Sequence, residues 1–426
     1  MTLPSLLSDI LTPLFDAVQT HAPVLSTALA WQPWLPQAQS TANPAVVAVS
    51  TPPAAWIPSL PMLFTVFGIA LAVGMVLVPV IRYYSLKANL YDAPGERKIH
   101  TQPIPRLGGV AIFIAFVVAL GLGSTLHPQV NAILLSKGNL GLFAGGALMF
   151  ILGLLDDLFN LSPYVKLLWQ FVAASVAFGM GVSIEALDLP GNLILYLKAL
   201  SFTITAGWLV GLSNAMNFID GVDGLAGGVA VFASLTLCIL ALFTGQPQAA
   251  LLCAALAGGC LAFLAFNFHP AKLFMGDSGA LFIGFALASI AVLGVLKIYT
   301  VMMIAPILVL CVPVLDITYA VLRRLLRGKN PFIADGDHLH HRLLKQGLSQ
   351  PMVVATFYGA CILSGIFVSI YLNAFPVYVQ ATAGLIVLAT LLIKTVQSPW
   401  GQRWLLPDPH TSATSTPVSV SQGDSN

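Results

Sequence analysis

The sequence predicts an all-α fold, a polytopic integral membrane helical bundle of about eleven transmembrane helices. Its N-terminus is expected outside and its C-terminus in the cytoplasm. Three observations carry that expectation. Hydrophobic residues fill 58% of 426 positions and charged residues only 8%, where soluble domains carry roughly 25% charge. Apolar runs of roughly 17–25 residues recur along the chain, enough to cross ~30 Å of hydrocarbon as helix. Lys and Arg alternate between rich and poor connecting segments. The apolar runs are continuous, whereas barrel strands would alternate, so the backbone satisfies its hydrogen bonds as helix.

The predicted spans begin near Met62, Gly108, Leu140, Leu167, Ala199, Leu225, Ala249, Gly279, Tyr299, Met352 and Pro376. The third and fifth read as short. No Lys or Arg precedes Arg82. The first connection then carries Lys87, Arg97, Lys98 and Arg106. Later alternate connections hold Lys166, Lys272 and the set Arg323, Arg324, Arg327, Lys329, Arg342 and Lys345. The opposite connections hold little beyond Lys137, Lys198 and Lys297. The positive-inside rule therefore places the basic set in the cytoplasm. The near-neutral net charge hides this polarity and gives no reason to expect a nucleic-acid partner.

Three regions are expected. Residues 1–60 form a poorly ordered external segment, 61–397 the transmembrane domain, and 398–426 a disordered cytoplasmic tail rich in Ser, Thr and Pro. The N-terminal segment lacks the basic start of a secretory signal. Cys238, Cys253, Cys260, Cys311 and Cys361 fall inside predicted spans without ligand spacing and read as small core residues. No internal repeat is visible.

Five polar patches at the ends of spans carry the chemistry, and all fall on the predicted cytoplasmic side. Charge at the edge of a bilayer core is costly, so aspartates gathered there point to a site. In GLLDDLFNLSPYVK, Asp156 and Asp157 end the third span, Asn160 follows one turn later, and Lys166 closes the loop. The helical period lets Asp156, Asp157 and Asn160 face one volume. Negative charge at a helix C-terminus opposes the macrodipole, which makes mere surface decoration an awkward reading.

In NAMNFIDGVDGLAGG, Asn217, Asp220 and Asp223 alternate with glycines that permit tight turns and close approach to a ligand. The plain alternative is that Asp223 caps the helix starting near Leu225. In FNFHPAKLFMGDSG, Asp277 and Ser278 open the eighth span. An N-cap is again the plain reading. The functional one is a Mg²⁺ ligand, since Mg²⁺ takes a few carboxylates with substrate phosphate oxygens and water. Phe274 is a candidate to stack on a nucleobase, with core or interface packing as the plain alternative, and Asn267 and His269 add polar groups.

In DGDHLHHRL, His338, His340, His341 and Arg342 suit a phosphate or pyrophosphate better than zinc, for which no HExxH spacing is present. In ERKIHTQPIPRLGG, Lys98, His100 and Arg106 precede Gly108-Gly109. Carboxylates, a Mg²⁺ site, cations and an aromatic platform on one face suit a nucleotide diphosphate meeting a lipid phosphate. Phosphoryl transfer between them needs positioning and charge neutralisation.

These five motifs, in order, resemble the polyprenyl-phosphate N-acetylhexosamine-1-phosphate transferase family, with motifs over about Met62 to Lys345. The resemblance implies a bundle of ten or eleven helices with a cytoplasmic site. It implies transfer of a sugar-1-phosphate from a UDP-N-acetylhexosamine to polyprenyl phosphate, release of UMP, and Mg²⁺ as cofactor with Mn²⁺ as a substitute. It assigns Asp277 to the metal, with Asp156 and Asp157 as further candidates. Asp156, Asp157, Asp220, Asp223 and His338 take catalytic roles. Lys98, His100, Arg106, Asn160, Lys166, Asn217, Asn267, Phe274, His340, His341 and Arg342 take substrate-binding roles.

The histidine motif resembles the N-acetylglucosamine branch more than the muramoyl-pentapeptide branch. Asn160 stands where the family often has a third aspartate. The implied setting is the bacterial plasma membrane, and a homodimer is compatible with the sequence. Direct attack by the lipid phosphate and a two-step route through an aspartyl-phosphate both fit these residues. An intramembrane aspartyl protease fits less well, because the Gly-x-Gly-Asp run lacks its first glycine. A transporter fits less well because charge is sparse at span centres.

Overall fold

The computed structural model describes residues 60–92, 103–189, 193–295, 324, 339–371 and 375–406. The chain is a bundle of long helices. In order these are α1 (Leu60–Lys87), α2 (Gly108–Leu126), the short α3 (Pro128–Leu134), α4 (Lys137–Phe159), α5 (Pro163–Gly179), α6 (Ser201–Ile219), α7 (Leu225–Phe243), α8 (Pro247–Asn267) and α9 (Gly276–Ile290). A single π-helical turn, Ala291–Val295, extends α9. After it come the short α10 (Leu339–Lys345), α11 (Gln350–Tyr371), α12 (Phe375–Gln397) and the short α13 (Pro399–Trp404).

Among the described residues, nine helices are long and apolar enough to cross a membrane. The fourth predicted span is α5, whose 17 residues reach the lower end of spanning length. The span predicted near Tyr299 lies outside the described residues. The third and fifth spans are not short: they run Lys137–Phe159 and Lys198–Ile219. The polar residues that ended each apolar run are themselves helical, because helix bonding is indifferent to side-chain polarity. Asn139, for example, is buried in the first turn of α4 and donates to the Ile133 carbonyl at 2.8 Å.

Two hairpins occupy connections. Tyr91–Asp92 (β1) pairs antiparallel with Ile104–Pro105 (β2) between α1 and α2. Ala186–Leu189 (β3) pairs with Leu193–Tyr196 (β4) between α5 and α6. The Ser201 hydroxyl donates to the Ile184 carbonyl at 2.7 Å, and the Ile184 N–H donates to Thr205 Oγ1 at 2.9 Å, fastening the second connection to α6.

The core centres on α8, where every residue from Ala249 to Asn267 is buried. Its sequence is dominated by Ala, Gly, Leu and Cys. Such small side chains let helix backbones approach, the packing on which membrane bundles rely. Helix α8 packs against α1, α2, α7 and α12, while α9 packs against α4, α6 and α2. By contrast only 22% of the spanning window of α1 and 17% of that of α12 is buried, as lipid-facing helices require. Cys238, Cys253, Cys260 and Cys361 form no disulfide and lie within this apolar packing, as expected; Cys311 lies outside the described residues.

The tail expected from residue 398 opens instead on α13. Its Ser398 hydroxyl accepts from the Gly401 N–H at 3.1 Å, and Pro399 takes the first helical position. Ser followed by Pro is a helix-start signal that the Ser/Thr/Pro composition of the tail concealed.

Candidate active site

The C-terminal ends of α4, α6 and α8 meet the N-terminal ends of α2, α5, α7 and α9 at one end of the bundle. Helices that alternate in direction bring distant segments of sequence to the same depth, and here they gather four aspartates and a lysine. Asp156 and Asp157 come from the last turn of α4 and Lys166 from the first turn of α5. Asp220 follows α6, and Asp277 stands in the first turn of α9.

Lys166 joins two of these segments. Its Nζ lies 2.8 Å from Asp156 Oδ2 and 3.2 Å from Asp277 Oδ2. Asp156 is also held by the Leu161 N–H, which donates to its Oδ1 at 2.7 Å. Asp157 points the other way. Its Oδ1 accepts from the Asp277 N–H at 2.8 Å and its Oδ2 from the Ser278 N–H at 3.0 Å. Asp157 therefore caps α9 from another helix and sets its negative charge against the positive end of that helix. The reading of Asp277 as its own helix's cap is corrected: the N-cap position is Met275, and no side chain of the local segment caps the helix.

Backbone bonds stitch the segment before α2 to the segment before α9. Phe274 N–H donates to the Pro105 carbonyl at 2.8 Å, Gly108 N–H to the Phe274 carbonyl at 2.9 Å, and Gly109 N–H to the Met275 carbonyl at 2.8 Å. The glycines make this approach possible. A Cβ on Gly109 would run into the backbone of Gly279. Gly276 has φ +75°, and a Cβ there would meet the Arg106 carbonyl and the Asp157 carboxylate.

The loop after α6 supplies the remaining groups. The Asn217 side chain lies close to the Asp277 carboxylate and favours its charged form. Asp220 lies near the Gly276 N–H and faces the carboxylates of Asp277 and Asp157. Burial pushes the Asp220 carboxyl well above the usual carboxylate range, and those two neighbouring charges push it further.

Asp223 does not cap α7. The N-cap is Gly224, at φ 82° and without a side-chain bond. Asp223 Oδ2 instead accepts from the Ala271 N–H at 3.1 Å and lies 2.9 Å from His269 Nδ1. Asn267, a substrate-binding candidate, is buried. Its Oδ1 accepts from Gly224 N–H at 2.9 Å and its Nδ2 donates to the Leu273 carbonyl at 2.9 Å. Its place is therefore structural: it ties the loop after α6 to the loop before α9.

Arg106, Asp157 and Asn160 line a cleft of about 320 Å³, with Asn89, Leu90, Tyr91, Leu107 and Leu158 as its other walls. Asn160 ends α4 in the left-handed region at φ 49°, a conformation asparagine tolerates better than most residues. It is exposed toward the cleft and does not join the Asp156–Lys166 contact. Phe274 is half-buried, two residues before Gly276. Arg342, with His340 and His341, lies on α10. Lys98, His100 and His338 lie outside the described residues.

The donor set fits a divalent cation. Four carboxylates with one lysine among them leave excess negative charge in a half-buried site, a cost that a cation or bound protons must offset. Asp157 turns both oxygens to the backbone of α9, so the candidate ligands are Asp277, Asp220 and Asp156, whose oxygens would share a second lone pair with the metal beside Leu161 N–H and Lys166. Among the described residues no three acidic or histidine side chains surround one point at coordination distance. Mg²⁺ does not need three, because substrate phosphates and water complete its shell.

The family model described as Glycosyl transferase family 4 matches residues 139–295, which span α4 to the end of α9. A protein of Bacillus subtilis (strain 168), named "Probable undecaprenyl-phosphate N-acetylglucosaminyl 1-phosphate transferase", is 36% identical over 295 residues, covering 68% of this chain and 80% of its own length. The chain belongs to the polyprenyl-phosphate N-acetylhexosamine-1-phosphate transferases of glycosyl transferase family 4.

It falls in the N-acetylglucosamine-1-phosphate branch of that family. The decaprenyl-phosphate N-acetylglucosaminephosphotransferase of Mycobacterium tuberculosis (strain H37Rv) is 34% identical, over 65% of this chain and 74% of the relative. The undecaprenyl-phosphate alpha-N-acetylglucosaminyl 1-phosphate transferase of Salmonella typhi is 29% identical, over 68% and 78%. The matched family region holds Asp156, Asp157, Lys166, Asn217, Asp220, Asp223 and Asp277; Arg106 and Arg342 lie beyond it.

Two groups in this transferase fold escaped the sequence reading. Tyr358 of α11 donates its hydroxyl to the Gly224 carbonyl at 2.6 Å, bracing the loop after α6. A tyrosine in an apolar run gives no sign of this in sequence. Gln170 and Asn214 pair beneath the site, and a glutamine inside a span, one turn from Lys166, was a signal that could have been used.

Proposed function

We propose that this protein transfers N-acetylglucosamine-1-phosphate from UDP-N-acetylglucosamine to a polyprenyl phosphate such as undecaprenyl phosphate. UMP is released, and a lipid-linked diphospho-sugar is formed for cell-surface polysaccharide synthesis. The proposed setting is a bacterial plasma membrane, with the site on the cytoplasmic side. The names of the bacterial relatives and the alternation of basic connections support this reading. The observation that carries it is Lys166 standing between Asp156 and Asp277 at the membrane-edge end of the spans.

In the proposed reaction a lipid phosphate oxygen attacks the β-phosphorus of the UDP-sugar. The bond from that phosphorus to the bridging oxygen breaks, and UMP leaves with the oxygen and the electron pair. Mg²⁺, held by Asp277 with Asp156 or Asp220, would neutralise charge on the diphosphate and draw electron density from the phosphorus. Lys166 supplies fixed positive charge at the same place and keeps Asp156 and Asp277 from repelling one another. Asp156 positions the attacking phosphate, or takes its proton when that phosphate arrives as the monoanion. Asn217 orients Asp277. The loop fastened by Gly108 and Gly109 places Arg106 at the adjoining cleft, where it can meet a phosphate. Phe274 is the proposed platform for uracil.

The test uses purified protein in detergent with Mg²⁺, polyprenyl phosphate and each of several UDP-N-acetylhexosamines, with UMP release measured. Release that requires lipid and Mg²⁺, is greatest with UDP-N-acetylglucosamine and vanishes in Asp277→Ala supports the proposal. Folded protein that releases no UMP from any of these donors overturns it.

A further inference from the structure

Beneath the charged cluster, at the depth of the spans, two amides face one another across α5 and α6. Gln170 Nε2 donates to Asn214 Oδ1 at 3.1 Å, and Asn214 Nδ2 donates back to Gln170 Oε1 at 2.7 Å. The same Asn214 Nδ2 also donates to the Val210 carbonyl of its own helix at 2.8 Å. Gln170 is only 2% exposed. A buried primary amide in an apolar bundle costs free energy unless its donors and acceptor are satisfied, and here each satisfies the other.

The position of the pair relates it to the chemistry. Gln170 lies four residues after Lys166 on α5, and Asn214 lies three residues before Asn217 on α6. Both spacings put the partners on one helix face, one turn apart. The turn above the amide pair therefore carries Lys166 from one helix and Asn217 from the other; Lys166 bonds Asp277 at 3.2 Å, and Asn217 lies close to the same carboxylate. Apolar packing would hold α5 against α6 equally well but tolerates sliding and rotation. A reciprocal amide pair accepts one register and one rotation.

We infer that Gln170 and Asn214 are positioning residues of the active site: their paired amides fix α5 against α6 and so hold Lys166 on Asp277, with Asn217 beside it. The inference rests on the transferase reading above. Neither amide touches the proposed ligands of the metal, so they act through Lys166 and Asn217.

The experiment compares wild type, Gln170→Met, Asn214→Leu and the exchange Gln170→Asn with Asn214→Gln. Each is assayed for lipid-dependent UMP release and for Tm in the same detergent. The single variants conserve volume and delete the pairing; the exchange keeps an amide on each side. Each single variant is expected to lower kcat by about 10- to 100-fold through misplacement of Lys166 and Asn217. KM for the donor should change little, Tm should fall by the cost of the one amide left unpaired, and the exchange should regain most of the rate and of the Tm. Unchanged kcat in the single variants overturns the inference. So does an exchange that regains the Tm but is as slow as the single variants, which marks a packing role alone. Wild-type protein that is folded but releases no UMP overturns the transferase reading, and this inference with it.

Discussion

Asp157 caps the helix that carries Asp277. The two residues lie 120 positions apart, yet the Asp277 N–H donates to the Asp157 carboxylate at 2.8 Å. The neighbour of Asp157 in sequence, Asp156, reaches Asp277 from the other side through Lys166. Two consecutive aspartates thus divide the work. One orients the helix that holds the candidate metal ligand, and the other stays available to substrate.

Removing the cap should cost stability as well as rate. Asp157→Ala is expected to lose about 1–2 kcal/mol, the usual range for a helix cap. Asp157→Asn keeps one acceptor oxygen and should lose less. Thermal unfolding in detergent, run beside the UMP assay, checks the order wild type, Asn, Ala. Equal Tm for wild type and Asp157→Ala would show that the cap contributes nothing.

Lys166 is expected to matter chiefly to rate. Lys166→Met removes the cation between Asp156 and Asp277 and should lower kcat by about 10²- to 10³-fold, the scale of a lost charge-stabilising group. Lys166→Arg restores charge but with a planar fork in place of a compact ammonium, so only partial recovery is expected. Steady-state kinetics at saturating donor decide this. A Met variant within a few-fold of wild type would rule Lys166 out of the chemistry.

Asp220 predicts a pH effect of definite sign. The unfolded carboxyl titrates near ~3.9, and burial with the charges of Asp277 and Asp157 raises its folded value well above that. Between the two values the unfolded chain gives up its proton and the folded chain keeps it. Stability is therefore lost as pH rises through that window. Asp220→Asn removes the loss, so in metal-free buffer its Tm should exceed that of wild type. The gap should be wider at pH 7 than at pH 5, while activity falls at both. A gap that narrows with rising pH would contradict the assignment.

The glycine contacts predict a contrast between two otherwise similar substitutions. Gly109→Ala forces a methyl group into the Gly279 backbone, and overpacking of this kind costs about 1–3 kcal/mol. Gly211→Ala, within α6, meets no atom within 4 Å and should be neutral or slightly stabilising through helix propensity. Folded yield and Tm of the two variants measure the difference. If they behave alike, the close approach of α2 to α9 is not limiting.

Much of this protein is legible in one dimension. Long apolar runs, the alternation of basic connections and the need for internal backbone bonding dictate a helical membrane bundle before any packing is known. The same alternation brings Asp156, Lys166, Asp220 and Asp277 to one end, since helices crossing in turn return every second connection to the same face. The motif spacings carried the family. What each polar group faces was decided only by tertiary structure. Asp223 and Asp277 sit where helix caps are expected, yet Asp223 holds the 269–271 segment, and α9 is capped by Asp157 of α4. Asn267 reads as a ligand of substrate but fastens two loops. Gln170 and Asn214 find one another across 44 residues. Hydropathy and helix period act locally and are written in neighbouring residues. A hydrogen bond between helices depends on the rotation and register of both, which no single segment encodes.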